Sequence, residues 1–132
     1  MFFMILVVVG VASVASADIT WGTATTFSSV SDVSTAGTLV YAYQGGNAGV
    51  GTVTVNGVPF AVGLGTDITT TMTQGYNSFT STSDPWASMP TEYKQLTQTA
   101  KQQNGTATQT VTLNNLTDGE SYLVQYWVAD AR

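Results

Sequence analysis

The side chains best suited to binding chemistry gather in one stretch, where Tyr76, Asn77, Asp84, Trp86, Glu92 and Tyr93 stand in loop-like sequence. Aromatic rings suit the C–H faces of a pyranose, and amides and carboxylates suit its hydroxyls, so this set reads as a candidate glycan-binding face. A plainer reading competes with it. Large aromatics are usually buried, which favours Trp86 and Tyr93 packing a long connection onto the body of the domain. Trp21 and Trp127 lie in strand-like sequence and are expected in the core.

Catalysis has little to work with. The chain holds no histidine and no cysteine, which removes the usual general base near neutral pH, thiolate chemistry and any zinc ribbon. Hydrolysis of a glycoside needs two carboxylates at a fixed separation. Asp84 and Glu92 can be nominated, but nothing in the pattern selects them over the other acids. No nucleophile elbow, P-loop or dinucleotide fingerprint is present. Asp32, Asp67 and Asp84 are spaced irregularly and lack the D-x-D-x-D run of a calcium loop, so they are expected to be solvated or to cap turns. Gly45, Gly46, Asn47 and Gly49 read as a mobile turn, since no helix start follows to make a phosphate cradle. No enzyme, metal or cofactor is expected.

Charge narrows the partners. In 132 residues the net charge is −5, with Lys94, Lys101 and Arg132 the only cations. Binding to nucleic acid through counterion release needs several clustered cations, so that class is excluded, and an anionic membrane surface is disfavoured. The first residues, MFFMILVVVGVASVASA, are apolar and end in Ala15-Ser16-Ala17, which fits signal-peptide cleavage before Asp18; the alternative is an uncleaved anchor or a miscalled start, since no Lys or Arg stands ahead of the apolar run. The expected organisation is therefore a signal peptide over 1–17 and a single domain over 18–132, with no membrane association after cleavage. An exported chain without cysteine points to a bacterial surface or the extracellular space. A polysaccharide or another cell-surface protein is the partner expected there.

The elements that would position a site are strands. GTVTVNGVPFAV (51–62) predicts a hairpin closed by Asn56-Gly57 as a type I′ turn. That turn sets Val55 opposite Val58 and Val53 opposite Phe60, with Thr52, Thr54, Pro59 and Ala61 on the other face. Pro59 predicts that its strand lies at a sheet edge. Further strands are expected at 19–27, 37–44, 66–73, 107–114 and 122–130. In the fourth of these, Val111 and Leu113 point inward and Thr108, Thr110 and Thr112 outward. Between them, 83–105 reads as a long connection with a short helix beginning near Asp84-Pro85, one face of which carries Tyr93, Leu96, Thr97 and Ala100. Short strands between Gly, Asn, Asp and Ser clusters make the fold class all-β, a jelly-roll-like antiparallel β-sandwich with one short helical connection. The stretch 122–130 is apolar on nearly both faces and predicts a central strand. It is either tucked between earlier strands or the front of a domain that continues past Arg132. The second reading is favoured, because an exposed apolar edge invites aggregation.

Two resemblances follow from these residues. LTDGESYLVQYWVAD resembles the turn and strand of fibronectin type III domains, and that likeness implies a tyrosine corner at Tyr122, with Leu116 and Gly119 before it. More broadly, ITWGTAT, SDVSTAGTLVYAYQGG, TVNGVPF, EYKQL and VTLNNLTDGESYLVQYWVADAR in this order resemble secreted galactose-binding-like jelly rolls. Those belong to planctomycete and verrucomicrobial surface proteins of the PEP-CTERM type. The resemblance implies a fold and a surface location, and further strands after WVADAR. The function expected is a non-catalytic exported module with a structural role, weak glycan binding, or both. The alternatives are a fibronectin-like spacer in a longer surface protein and a carboxylate-dependent hydrolase.

Overall fold

The computed structural model describes residues 3–8, 20–26, 28–46, 51–76, 80–82, 84, 86–103, 105 and 108–128; for 3–8 and for Tyr76 it describes the backbone alone. Two compact units share the chain. One is Ser29–Asn114, and the other joins Met1–Ser28 to Asn115–Arg132. Strands dominate both, so the fold class is all-β and sandwich-like, with one short helix among the described residues. No helix there is long and apolar enough to span a membrane.

The larger unit opens on a 3₁₀ turn, Val30–Asp32. Its start is fixed reciprocally: the Ser31 backbone N–H donates to Ser29 Oγ at 3.2 Å, and the Ser29 N–H donates to Asp32 Oδ2 at 2.9 Å. Asp32 therefore caps a turn, as its spacing predicts. Its strands are β3 (Tyr43–Gln44), β4 (Val53–Val55), β5 (Val58–Val62), β6 (Ile68–Thr70), β7 (Gln74–Tyr76), β8 (Ala100–Gln102) and β9 (Val111–Leu113), with helix α1 at Thr91–Thr97. The β4–β5 hairpin has the expected register, Val55↔Val58 and Val53↔Phe60. Asn56 at φ 49° and Gly57 at φ 78° form its turn. Val53, Val55 and Phe60 are buried, while Thr52, Thr54, Pro59 and Ala61 are exposed. Alternation alone set these faces.

Pro59 does not mark an edge. β5 lies between β3 and β4, and its pairing with β3 is parallel, which makes this sheet mixed. The Val55↔Val58 pair closes the turn, so the next pair, Thr54↔Pro59, is one whose N–H groups face away from the partner strand. On its other side β3 reaches only Ala61 and Val62. Position 59 has no ladder bond to donate on either side.

Helix α1 starts after Pro90, later than Asp84-Pro85 predicts. Asp84 instead accepts from the Ser88 N–H at 3.1 Å, holding a turn that precedes the helix; Pro85 lies outside the described residues. The helix ends at Thr97, and Ala100, expected to share its inner face, begins β8; the expected face holds for Tyr93, Leu96 and Thr97, which are buried. They lie against β4 and share a core with Val33, Val53, Val55, Phe60, Trp86 and Met89. Leu39 and Val40 are exposed, and the strand expected over 37–44 shrinks to β3. Gly45 and Gly46 are a packing device, not a mobile turn. A Cβ on Gly45 would stand 2.5 Å from the Lys101 backbone nitrogen, and one on Gly46 would stand 2.4 Å from Thr99 Cβ. Asn47 and Gly49 lie outside the described residues.

The smaller unit is a sheet of β1 (Phe3–Val8), β2 (Thr20–Trp21) and β10 (Leu123–Val128) in the order β10-β1-β2. Among the described residues β10 is thus a border strand, where the apolar pattern predicts a central one. The central place is held by β1, antiparallel to β10 from Phe3↔Val128 to Val8↔Leu123. β1 falls inside the segment read as a signal peptide, so cleavage at Ala17 would withdraw the middle strand of this sheet. Before β10, Tyr122 closes the corner that the fibronectin likeness implies. The Thr117 N–H donates to the Tyr122 hydroxyl at 2.8 Å, across a turn in which the Glu120 N–H donates to the Thr117 carbonyl at 3.3 Å. Trp21 is 58% exposed, not core.

Candidate functional site

The candidates read from the sequence separate on folding. Trp86 is 6% exposed and Tyr93 0%, so neither ring offers a face to a sugar. Both are core of the α1 region, the packing role weighed for them. Asp84 and Glu92 are exposed, Asp84 at its turn and Glu92 in the first turn of α1. Tyr76 ends β7 opposite Ala100, and Asn77 lies outside the described residues.

A different set of polar groups converges on the β6–β9 ladder. Its register is Ile68↔Leu113, Thr69↔Thr112 and Thr70↔Val111. Backbone bonds extend it by one residue at each end: the Asn114 N–H donates to the Asp67 carbonyl at 2.6 Å and the Thr71 N–H to the Thr110 carbonyl at 3.1 Å. Alternation then places Asp67, Thr69 and Thr71 on one face, opposite Asn114, Thr112 and Thr110. Ile68, Thr70, Val111 and Leu113 take the reverse face. One side of the ladder is a row of hydroxyls closed at one end by a carboxylate and an amide. Beside it lies a shallow open depression of about 200 Å³ lined by Thr69, Thr70, Thr71, Thr110 and Thr112.

Tyrosines close the carboxylate end. The Tyr43 hydroxyl donates to Asp67 Oδ2. Tyr41 stands beside it, with ring centroids 5.8 Å apart and planes tilted by 35°, and its hydroxyl lies 3.5 Å from the Asn114 carbonyl oxygen. Asn114 Nδ2 donates to the Thr66 carbonyl at 3.1 Å and lies 3.5 Å from Thr69 Oγ1. Gly65 lets the chain pass this cluster: it has φ +55°, and a Cβ there would stand 2.5 Å from the Tyr43 hydroxyl. The bond to Asp67, then desolvation, then the carboxylate's charge hold the Tyr43 phenol above its ordinary pKa.

Further along, the hydroxyls bind the protein's own backbone and glutamine side chains. Thr71 Oγ1 accepts from the Thr110 N–H at 2.9 Å and donates to Gln109 Oε1 at 3.1 Å. Thr70 Oγ1 donates to the Thr110 carbonyl at 2.9 Å. Gln103 Oε1 accepts from the Thr73 hydroxyl at 3.1 Å. These bonds stiffen short strands that would otherwise be marginal.

Such a surface can accept and donate hydrogen bonds over several positions and offer ring edges at one end. The one carboxylate in it is bound by a phenol, and no group of three or more acids that could hold a metal ion occurs among the described residues. Alternation in TQTVTLN made the outward Thr108, Thr110 and Thr112 legible, but Val111, expected inward, is 39% exposed. The Tyr43–Asp67 contact was not, because it depends on how β3 meets the β6 turn. Comparison with family models, curated proteins and solved structures finds no match.

Proposed function

We propose that this chain is an exported, non-catalytic β-rich surface module that binds polyhydroxylated polymers weakly at the Tyr41–Tyr43–Asp67–Asn114–Thr112 face. The observation that carries this reading is the juxtaposition of two tyrosines, a carboxylate and an amide with a row of exposed hydroxyls on one strand ladder. Sugar hydroxyls need alternating donors and acceptors, and tyrosine supplies an apolar face with a polar tip. Export to a bacterial surface is supported by the apolar N-terminal segment ending in Ala15-Ser16-Ala17 and by the absence of cysteine.

Affinity electrophoresis of the full chain through gels containing a panel of polysaccharides tests the reading. Retardation in at least one gel, abolished by Tyr41→Ala and by Asp67→Ala, is expected. Unretarded migration in every gel removes the binding role. A second reading then takes its place: an architectural spacer of the fibronectin kind, favoured by the closed tyrosine corner at Tyr122.

A further inference from the structure

The sheet of the smaller unit is organised around a segment expected to leave the chain. β10 is bonded along its whole length to β1, antiparallel, from Phe3↔Val128 to Val8↔Leu123. Loss of residues 1–17 would strip that edge of β10 of all its β1 partners. An exposed row of N–H and C=O groups on an apolar strand is a template for another chain. Natural edges are shielded by charge, proline or a bulge. LVQYWV has no charged residue and no proline.

We infer that in the processed chain the place of Phe3–Val8 is taken by Leu123–Val128 of a second copy, giving a two-fold dimer with one sheet continuous across the seam. The geometry of the slot selects this occupant. It receives its strand antiparallel, and a strand paired antiparallel with its own copy is what a two-fold axis generates. It is 6 residues long, and so is β10. The strand that fills it here is uniformly apolar, and β10 matches that character with Gln125 as its single polar residue. Among the described residues the larger unit offers nothing equivalent: β3 has 2 residues, β4, β6, β7, β8 and β9 have 3 each, and β5 is flanked on both sides by partners. The inference rests on the export reading, since the leader must depart for the slot to open.

The test uses the complete gene expressed in an exporting bacterium and, separately, the same chain produced without export. Mass spectrometry of the exported product is expected to show loss of residues 1–17, and sedimentation to show a dimer; the unexported chain is expected to be monomeric. Because the chain has no cysteine, single replacements report the seam cleanly. Gln125→Cys and Tyr126→Cys, oxidised separately and mixed, should yield a disulfide-linked dimer, since residues opposed across an antiparallel pair meet the spacing a disulfide needs. Thr54→Cys, exposed on β4, should not. A processed monomer, an exported chain still beginning at Met1, or equal cross-linking at Thr54→Cys overturns the inference. The glycan reading fails independently: a processed dimer retarded by no polysaccharide leaves the seam standing, and a retarded monomer overturns the seam alone.

Discussion

The hydroxyl of Thr99 donates to the side-chain oxygen of Gln44 at 2.9 Å, linking segments 55 residues apart inside the larger unit. Gln44 is 2% exposed and Thr99 4%. The amide nitrogen of Gln44 donates to the Gly51 carbonyl and lies 3.4 Å from that of Phe60. One buried side chain therefore satisfies groups from three parts of the chain. Removing it takes these bonds out of a buried site and leaves the Thr99 hydroxyl with the Leu96 carbonyl at 3.3 Å as its acceptor, and a buried bond left unmade costs more than the bond itself contributes. Gln44→Ala is expected to lower stability by about 2–3 kcal/mol and Thr99→Val by about 1–2 kcal/mol. Urea unfolding midpoints at a constant m-value measure both; a change below half a denaturation error for Gln44→Ala would show the network to be dispensable.

Next to this network, the chain just past β3 runs so close to β8 at Gly45 that a side chain is excluded. Gly45→Ala would drive a Cβ to 2.5 Å from backbone, which cannot rotate away. A loss of about 2–3 kcal/mol is expected from the forced separation. Gly51→Ala is the control: nothing lies within 4 Å of its Cβ, and only its φ of +73° resists the change. Its expected loss is about 1 kcal/mol. Equal losses at the two positions would mean that backbone conformation and not close approach governs both.

Tyr43 gives the site a signature in alkali. Its phenol is held above its ordinary value of 10.0 first by the bond to Asp67, then by desolvation and by the carboxylate's charge. Folding therefore favours the protonated phenol. That contribution is fully present below pH 10 and is lost as pH rises through the higher folded-state value, because the folded chain then binds more protons than the unfolded one. Stability measured by urea unfolding should fall on the alkaline side in the native chain, and Tyr43→Phe should flatten that part of the decline. The phenol that this variant removes from the absorbance titration should be one that ionises above 10.0. Loss of a phenol ionising at the ordinary value would place the Tyr43–Asp67 bond outside the solution structure.

Much of this was written in local pattern. The β4–β5 register needed only Asn56-Gly57 and alternating valines, and the inner face of α1 needed only the spacing of Tyr93, Leu96 and Thr97. What escaped depends on contacts distant in sequence. β7 and β8 are short, with Gly75 and Lys101 opposed at their middle, and carry no alternation to read. The pairing of Phe3–Val8 with β10 was hidden because the same apolar run satisfies the pattern of a signal peptide. Pro59 misled for a geometric reason, since its missing donor faces a stretch that β3 never reaches. Among site residues, the outward threonines followed from period two. Their junction with Tyr43 and Asp67 did not, because a hydrogen bond between side chains 24 residues apart leaves no periodic trace.

The aromatics of the α1 region and those of the ladder can be separated by what their loss does. Trp86 and Tyr93 are enclosed with Met89 and Leu96, so truncation leaves a cavity that the short helix cannot close. Trp86→Ala and Tyr93→Ala are each expected to cost about 3–5 kcal/mol. Polysaccharide retardation should persist for whatever fraction stays folded. Tyr41 is half-buried and borders solvent at the ladder's end, where Tyr41→Ala removes less packing. It should cost about 1–2 kcal/mol while abolishing retardation, because the ring that would meet a sugar is gone. Parallel thermal melts and affinity gels on the three variants read the two effects apart. Loss of retardation in well-folded Trp86→Ala, with full retention by Tyr41→Ala, would move the binding face from the strand ladder to the helix.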